Sequence, residues 1–254
     1  MAAVCAAIAG RVLVTDRFLV PSDSMYPTLQ AGDRIWVNKL LYGPRIYRRL
    51  DFQDHAPLEC FRLPGLRKIR PGDVIVFNFP FGYDDWSRIE FRINYVYCKR
   101  VVGAPGNVIG IRDGFTWNDS FDGVLGVPEN QKDLSETDDS TLALISWYDA
   151  VPLSYPVWNV KNLGPMTVPA KGMTVSLDTL TRALYTHAIR YESGENPDSL
   201  DTYTFTHDWY FAMGDNSTDS RDSRFWGFIP DDFVVGIVSS CSLKGRNRNE
   251  YGRR

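Results

Sequence analysis

Histidine is scarce in this 254-residue sequence. Only His55, His187 and His207 occur, and none sits at metal-ligand spacing from a cysteine. A structural zinc site therefore has no ligand set, and a Ser-His-Asp triad has no obvious base. Cysteine is nearly as rare. Cys5, Cys60, Cys98 and Cys241 are scattered, with no CxxC, and read as small buried hydrophobes. A Cys60–Cys241 disulfide stays open for an oxidising compartment. Neither sign of charge dominates: 28 Lys+Arg against 31 Asp+Glu leave a net charge of -3. That removes the basic footprint of a nucleic-acid binder. No apolar run approaches the ~18 residues of a spanning helix. The first ten residues, MAAVCAAIAG, are apolar, but at ~1.5 Å each they would cover about half of a ~30 Å hydrocarbon core. They can be a signal peptide without its basic start, an ordinary buried helix, or the end of a longer anchor.

What the chain has in quantity is aromatics and turn formers: Trp 7, Tyr 13, Phe 14, Gly 20 and Pro 15. Short apolar or alternating runs are punctuated by turn chemistry, as strands are. Arg34–Lys39 follows Gly32-Asp33; Val74–Phe79 follows Arg70-Pro71-Gly72-Asp73; Tyr95–Val102 ends at Gly103; Val108–Ile111 meets Arg112-Asp113-Gly114. Helical periodicity is nearly absent, with one helix expected over about Leu177–Arg190. Between 113 and 208 the composition shifts. Asp122 to Asp149 is acidic and turn-rich, and Val151 to Pro169 carries four prolines. The expected organisation is an all-β, two-lobed fold. Its core combines 17–112 with 209–242, 113–208 is an inserted β-rich subdomain, 1–16 is an apolar lead, and 243–254 is a basic tail. That tail holds five basic and one acidic side chain, and is either a solvated end or a contact for anionic headgroups.

Four segments carry chemistry. In VPSDSMYPTL, Ser22 and Ser24 flank Asp23 between Pro21 and Pro27, a loop suited to presenting a fixed hydroxyl. In YCKRVVGAPGN, Lys99 and Arg100 point to opposite faces of a strand, so one of them turns inward. An inward lysine must find a partner or lose its proton. MGDNSTDSRDSRFWGFIP packs hydroxyls, carboxylates and guanidiniums between apolar segments, as a hydrogen-bonded network does. RPGDVIVF is a turn opening a strand.

Together, in this order and spacing, the four resemble bacterial type I signal peptidases, membrane-bound Ser/Lys endopeptidases that remove signal peptides from exported proteins. The resemblance covers roughly residues 17–242, and is weak over 113–208. It implies Ser24 as nucleophile, Lys99 as its general base, and Ser22 with the Ser24 N–H as oxyanion hole. It implies Ser220 as the hydroxyl orienting the lysine, and Asp222 with Arg224 as a pair bracing the site. Gly214, Asp215 and Asn216 match the start of the same box. Asp23 stands where a glycine is common, and Ser217-Thr218 stand where Arg-Asp is usual.

The resemblance further implies signal peptides bound as an added strand, with small side chains at the first and third positions before the cut. It implies membrane lipids as surroundings, no nucleic acid, no metal and no cofactor. Chemistry would take place on the outer, periplasmic face of the bacterial cytoplasmic membrane, with residues 1–16 as the remnant of an anchor. A lysine base needs help, since at its ordinary pKa about one in two thousand is neutral at pH 7; desolvation among apolar strands would supply it. The aromatic stretch Phe77–Trp86 has two readings, an interfacial contact or core packing. Two other functions compete. A Ser/Lys self-cleaving repressor would need a helical DNA-binding half, which is missing, and a non-catalytic peptide binder would not need Ser24, Lys99, Ser22 and Ser220 intact.

Overall fold

The computed structural model describes residues 10–49, 58–82, 85–144 and 158–242. Seven strands form one curled antiparallel sheet: β1 (Thr15–Leu19), β2 (Arg34–Asn38), β14 (Val234–Ser242), β5 (Val74–Asn78), β6 (Val96–Gly103), β12 (Trp209–Met213) and β13 (Ile229–Pro230), in that spatial order. The other strands among the described residues make a three-stranded sheet and two two-stranded sheets. β8 (Phe115–Asn118), β7 (Val108–Arg112) and β9 (Leu163–Thr167) form the first; β3 (Arg45–Tyr47) pairs with β4 (Cys60–Arg62), and β10 (Thr174–Ser176) with β11 (Thr202–Thr204). Strand residues (31%) outnumber helical ones (20%), so the all-β expectation stands.

The alternation of side chains explains the two cores. In β2, Ile35 and Val37 are buried while Arg34 and Trp36 are exposed, a half-covered strand. In β5 both faces are covered: Ile75 and Phe77 enter the larger core, and Val76 enters the smaller one with Val20, Met25 and Leu29. The expected strands at 34, 74, 95 and 108 are all present, with ends within two residues.

Among the described residues, four α-helices are seen whole: α1 (Pro128–Glu136), α2 (Asp139–Leu144), α3 (Thr179–Ser193) and α4 (Ser223–Trp226). Only α3 was legible. Asp178 caps it by accepting the Thr181 N–H, Gly194 closes it at φ 72°, and Tyr185, Ala188 and Ile189 are buried. The turn reading of 122–149 is corrected by α1 and α2. Their physical reason is length: in nine residues α1 buries only Gln131 and Leu134, too little to make a periodic pattern.

The interfacial reading of the aromatic stretch is corrected as well. Phe77, Phe79 and Phe81 are each at most 1% exposed, and Trp86 packs on Phe79 and Phe81 at 5.9 and 6.1 Å between ring centres. The larger core absorbs them. Cys60, Cys98 and Cys241 are free thiols, so the open disulfide is not formed. Among the described residues no helix is long and apolar enough to cross a membrane. Residues 1–9 and the tail 243–254 lie outside the described residues.

Candidate active site

The loop after β1 is fixed from two sides. On one, the Val20 N–H donates to Asp33 O (2.8 Å), the Tyr26 N–H donates to Asp23 O (2.9 Å), and the Asp23 carboxylate accepts the Ala31 N–H (2.9 Å). On the other, Asn216 donates its N–H to Ser24 O (3.1 Å) and its side-chain amide to Asp23 O (3.2 Å). Asp23 has no positive φ, so an L-residue is accommodated without backbone strain at the position where glycine is common. The third wall is Gly214. A Cβ there would stand 2.1 Å from Ser220 Oγ and 2.3 Å from Ser24 O, so the close approach of the two loops demands glycine.

Alternation along β6 turns Lys99 to the same face as Tyr97 and Val101. Lys99 is 3% exposed. Its Nζ donates to Ser24 Oγ at 2.6 Å and to Ser220 Oγ at 3.0 Å, and lies 5.9 Å from the centre of the Tyr97 ring. Burial pulls its pKa from 10.5 to about 8, against the opposing charge of Asp222. Roughly one lysine in ten is then neutral at pH 7, a gain of more than a hundredfold in available base. Ser22 Oγ lies 3.4 Å from Ser24 Oγ, at the exposed rim of the loop.

Asp222 and Arg224 are enclosed, at 0% and 1% exposure. They pair through two bonds of 2.9 Å each. Asp222 also accepts the Gly214 N–H (3.0 Å) and Arg224 reaches Ser217 O (2.9 Å). Burial alone would raise the pKa of Asp222, but the charge and hydrogen bonds of Arg224 outweigh it and hold the carboxyl below its ordinary value. Each donor and acceptor of the pair is thereby tied to the loop that carries Ser220, which fixes that loop's shape. Ser217 acts through its carbonyl and Thr218 through a 3.4 Å contact to Asn216 Oδ1, so the departure from Arg-Asp leaves the box closed.

The structure thus brings Ser22, Ser24, Lys99, Ser220, Asp222 and Arg224 to one place, and adds contacts to which the sequence assigns no role. Arg100, on the other face of β6, holds Asp215 through bonds of 2.7 and 2.6 Å, and Thr28 donates to the same carboxylate. Asn130 of α1 donates to Tyr26 O (2.8 Å) and Asp215 O (2.7 Å). The alternation of Lys99 and Arg100 signalled the first cluster. Nothing signalled Asn130, because its helix went unread. A cleft of 580 Å³ opens between Leu19–Met25 and the strand from Asn94 to Lys99, bounded by Asp219 and Arg221. A buried amine against a loop hydroxyl, with an open cleft in front, is an arrangement for attack on an acyl group.

The family model for "Signal peptidase, peptidase S26" matches residues 1–243. The chain belongs to the signal peptidase S26 family. It is therefore similar throughout to signal peptidase I of Pseudomonas aeruginosa, 30% identical over 93% of this chain and 64% of the relative. Signal peptidase I of Buchnera aphidicola is 26% identical over 95% of this chain and 72% of the relative. The probable signal peptidase I-1 of Synechocystis is 24% identical over 93% and 75%. The chain thus spans between 64% and 75% of the length of these relatives. Membership makes it a serine-type peptidase, and signal-peptide removal is the reaction that the family assigns.

Proposed function

We propose that the chain cuts signal peptides from exported preproteins through a Ser24/Lys99 dyad. The observation that carries this is the 2.6 Å separation of Lys99 Nζ from Ser24 Oγ in a lysine that is 3% exposed. Neutral Lys99 takes the Ser24 proton as Oγ attacks the carbonyl carbon before the cut. The developing oxyanion is held by Ser22 Oγ and the Ser24 N–H. The protonated amine then passes its proton to the leaving amine, and water repeats the sequence on the acyl-enzyme. Ser220 keeps the amine aimed at Ser24, and the Asp222–Arg224 pair holds Ser220 in place. The substrate lies as an extended strand along the cleft, with small side chains at its first and third positions before the cut, and 113–208 serves as an inserted lobe. The work belongs on the outer face of the bacterial cytoplasmic membrane, with residues 1–16 leading back to the bilayer; bacterial relatives and the apolar lead support this placement.

The test is incubation of purified protein with a preprotein, followed by sequencing of the new N-terminus. A single cut is expected after a small residue. Ser24→Ala and Lys99→Ala should each abolish it, and the double variant should be no worse than either, because the two side chains act as a unit. A tenth of wild-type activity surviving in either single variant overturns the assignment.

A further inference from the structure

The cleft in front of Ser24 does not end at the dyad. A second groove of 260 Å³ adjoins it and shares Asn94 and Val96 as lining residues. The walls also run in the same direction. On the β6 side the lining steps back from Lys99 through Val96 to Ile93; on the β1 side it steps back from Ser24 through Leu19 to Phe18 and Asp16. Ile93 and Val96 precede Lys99 by six and three residues. At ~3.3 Å per extended residue, a peptide seated at Ser24 would enter this groove about three to six residues from the cut.

The chemistry of the second groove differs from that of the first. Among its described lining residues are three cations, Arg11, Lys39 and Arg45, and one carboxylate, Asp16. Arg45 is 6% exposed and is fastened by bonds to Asp232 O and Asn78 Oδ1, each 2.8 Å. Lys39 donates to Arg11 O at 2.8 Å and lies 3.5 Å from Asp16, and Arg11 also pairs with Asp16 at 3.0 Å. Two cations share one carboxylate, and Arg45, bonded to a carbonyl and an amide, also feels the charge of Asp232 from behind the wall; cations among the lining residues still outnumber Asp16, on walls that include Phe18, Val96 and Val235. These cations belong to β1, β2 and β3 or their flanks and take no part in the dyad.

We propose that this groove is a charge-selective subsite for the substrate segment about four to six residues before the cut, disfavouring lysine and arginine there and favouring acidic or neutral side chains. The upstream direction follows from the chain itself. The wall leads back through Val12 and Arg11 into the apolar sequence 1–10, and the apolar stretch of a signal peptide likewise lies upstream of its cut. The inference rests on the signal-peptidase reading of the site.

It is tested with one preprotein carrying Glu, Gln or Lys singly at the fifth and sixth positions before the cut, and in a second set at the third and fourth positions after it. At low salt, Lys upstream should lower kcat/KM about three- to tenfold relative to Glu, as expected for charges ~8 Å apart across a groove with a dielectric close to that of water. The contrast should shrink in 0.5 M salt, given a Debye length of only about 4 Å at such strength. It should fall by half or more in Lys39→Gln. Arg11→Gln, whose side chain is 74% exposed and whose loss does not threaten folding, should act in the same direction. Equal cleavage of the Glu and Lys upstream substrates overturns the subsite and leaves the peptidase reading standing. A contrast confined to the downstream set overturns it too, since the groove would then hold the mature part. So does loss of binding to phosphatidylglycerol vesicles in the two variants with an unchanged peptide preference, which would make the groove a lipid headgroup site. No cut in any substrate overturns the peptidase reading and the subsite with it.

Discussion

A lysine held at 3% exposure with a pKa near 8 is destabilised relative to the same lysine in water. The same desolvation makes it a base near neutral pH, so two measurements should move together. First, kcat/KM should rise from pH 6 to 9 with a midpoint near 8, the value for Lys99 in the free enzyme. A flat profile with chemistry shown to be rate-limiting would count against a titrating lysine. Second, Lys99→Met should raise the melting temperature at pH 7. The sign follows from linkage: the folded-state pKa is depressed, the unfolded chain binds the proton more tightly, and wild-type stability climbs as pH rises from about 8 to 10.5. The advantage of the Met variant should shrink across that window. Ser22→Ala is expected to lower kcat by about 10²–10³ with the fold intact, the usual loss for one oxyanion donor. An unchanged rate would make Ser22 a turn residue only.

Elements meet at the site through backbone approach as much as through side chains. The loop after β12 and the loop after β1 touch at Gly214, where Ser220 Oγ and Ser24 O leave no room for a methyl. Gly214→Ala should therefore separate Ser220 from Lys99 and cut kcat/KM by at least a hundredfold, on the scale set by about 1 Å of misplacement, while circular dichroism shows β structure retained. Wild-type turnover by this variant would mean that the loops are not held as close as the hydroxyl contact requires. The strand-to-loop segment 77–81 makes the opposite point. Phe79 stacks on Tyr97 at 4.6 Å and meets Trp226 edge-on at 5.6 Å, tying β5 and β6 to α4, and Phe81 is 1% exposed beside His187. Phe81→Ala should cost about 3–5 kcal/mol, read as a lowered denaturation midpoint, and should not change vesicle binding of the molecules that remain folded.

Across the whole molecule, stability also depends on a site remote from the dyad. Asp231 and Asp232 are adjacent half-buried carboxylates, and each has a buried Oδ1 without a hydrogen-bond partner. Burial and the neighbouring Asp232 charge raise Asp231 to about 6. A raised carboxyl pKa contributes stability that is present below about 3.8 and lost as pH rises through about 6. Asp231→Asn should therefore raise the melting temperature at pH 7 to 8, and the gain should vanish near pH 4. A gain that is independent of pH would locate the strain elsewhere. The ionised pair Asp222–Arg224 behaves oppositely: Asp222→Asn strands a buried guanidinium and should cost about 3–5 kcal/mol at neutral pH.

Strand positions were legible because a period of two survives in five-residue runs such as Arg34–Asn38, where exposed and buried side chains alternate. The catalytic candidates were legible because Ser24, Lys99 and Ser220 sit in three motifs whose order and spacing carry a family resemblance. Short helices were not: α1 has too few buried residues for a pattern, and so Asn130 could not be placed against the nucleophile loop. Sequence also left the aromatic run between core and interface, because burial depends on what the rest of the chain packs over it. The largest thing that only tertiary structure decided is the electrostatic environment of Lys99. Its residue type follows from the sequence, but a pKa near 8 comes from strands and loops distant in the chain closing around one amine and excluding water.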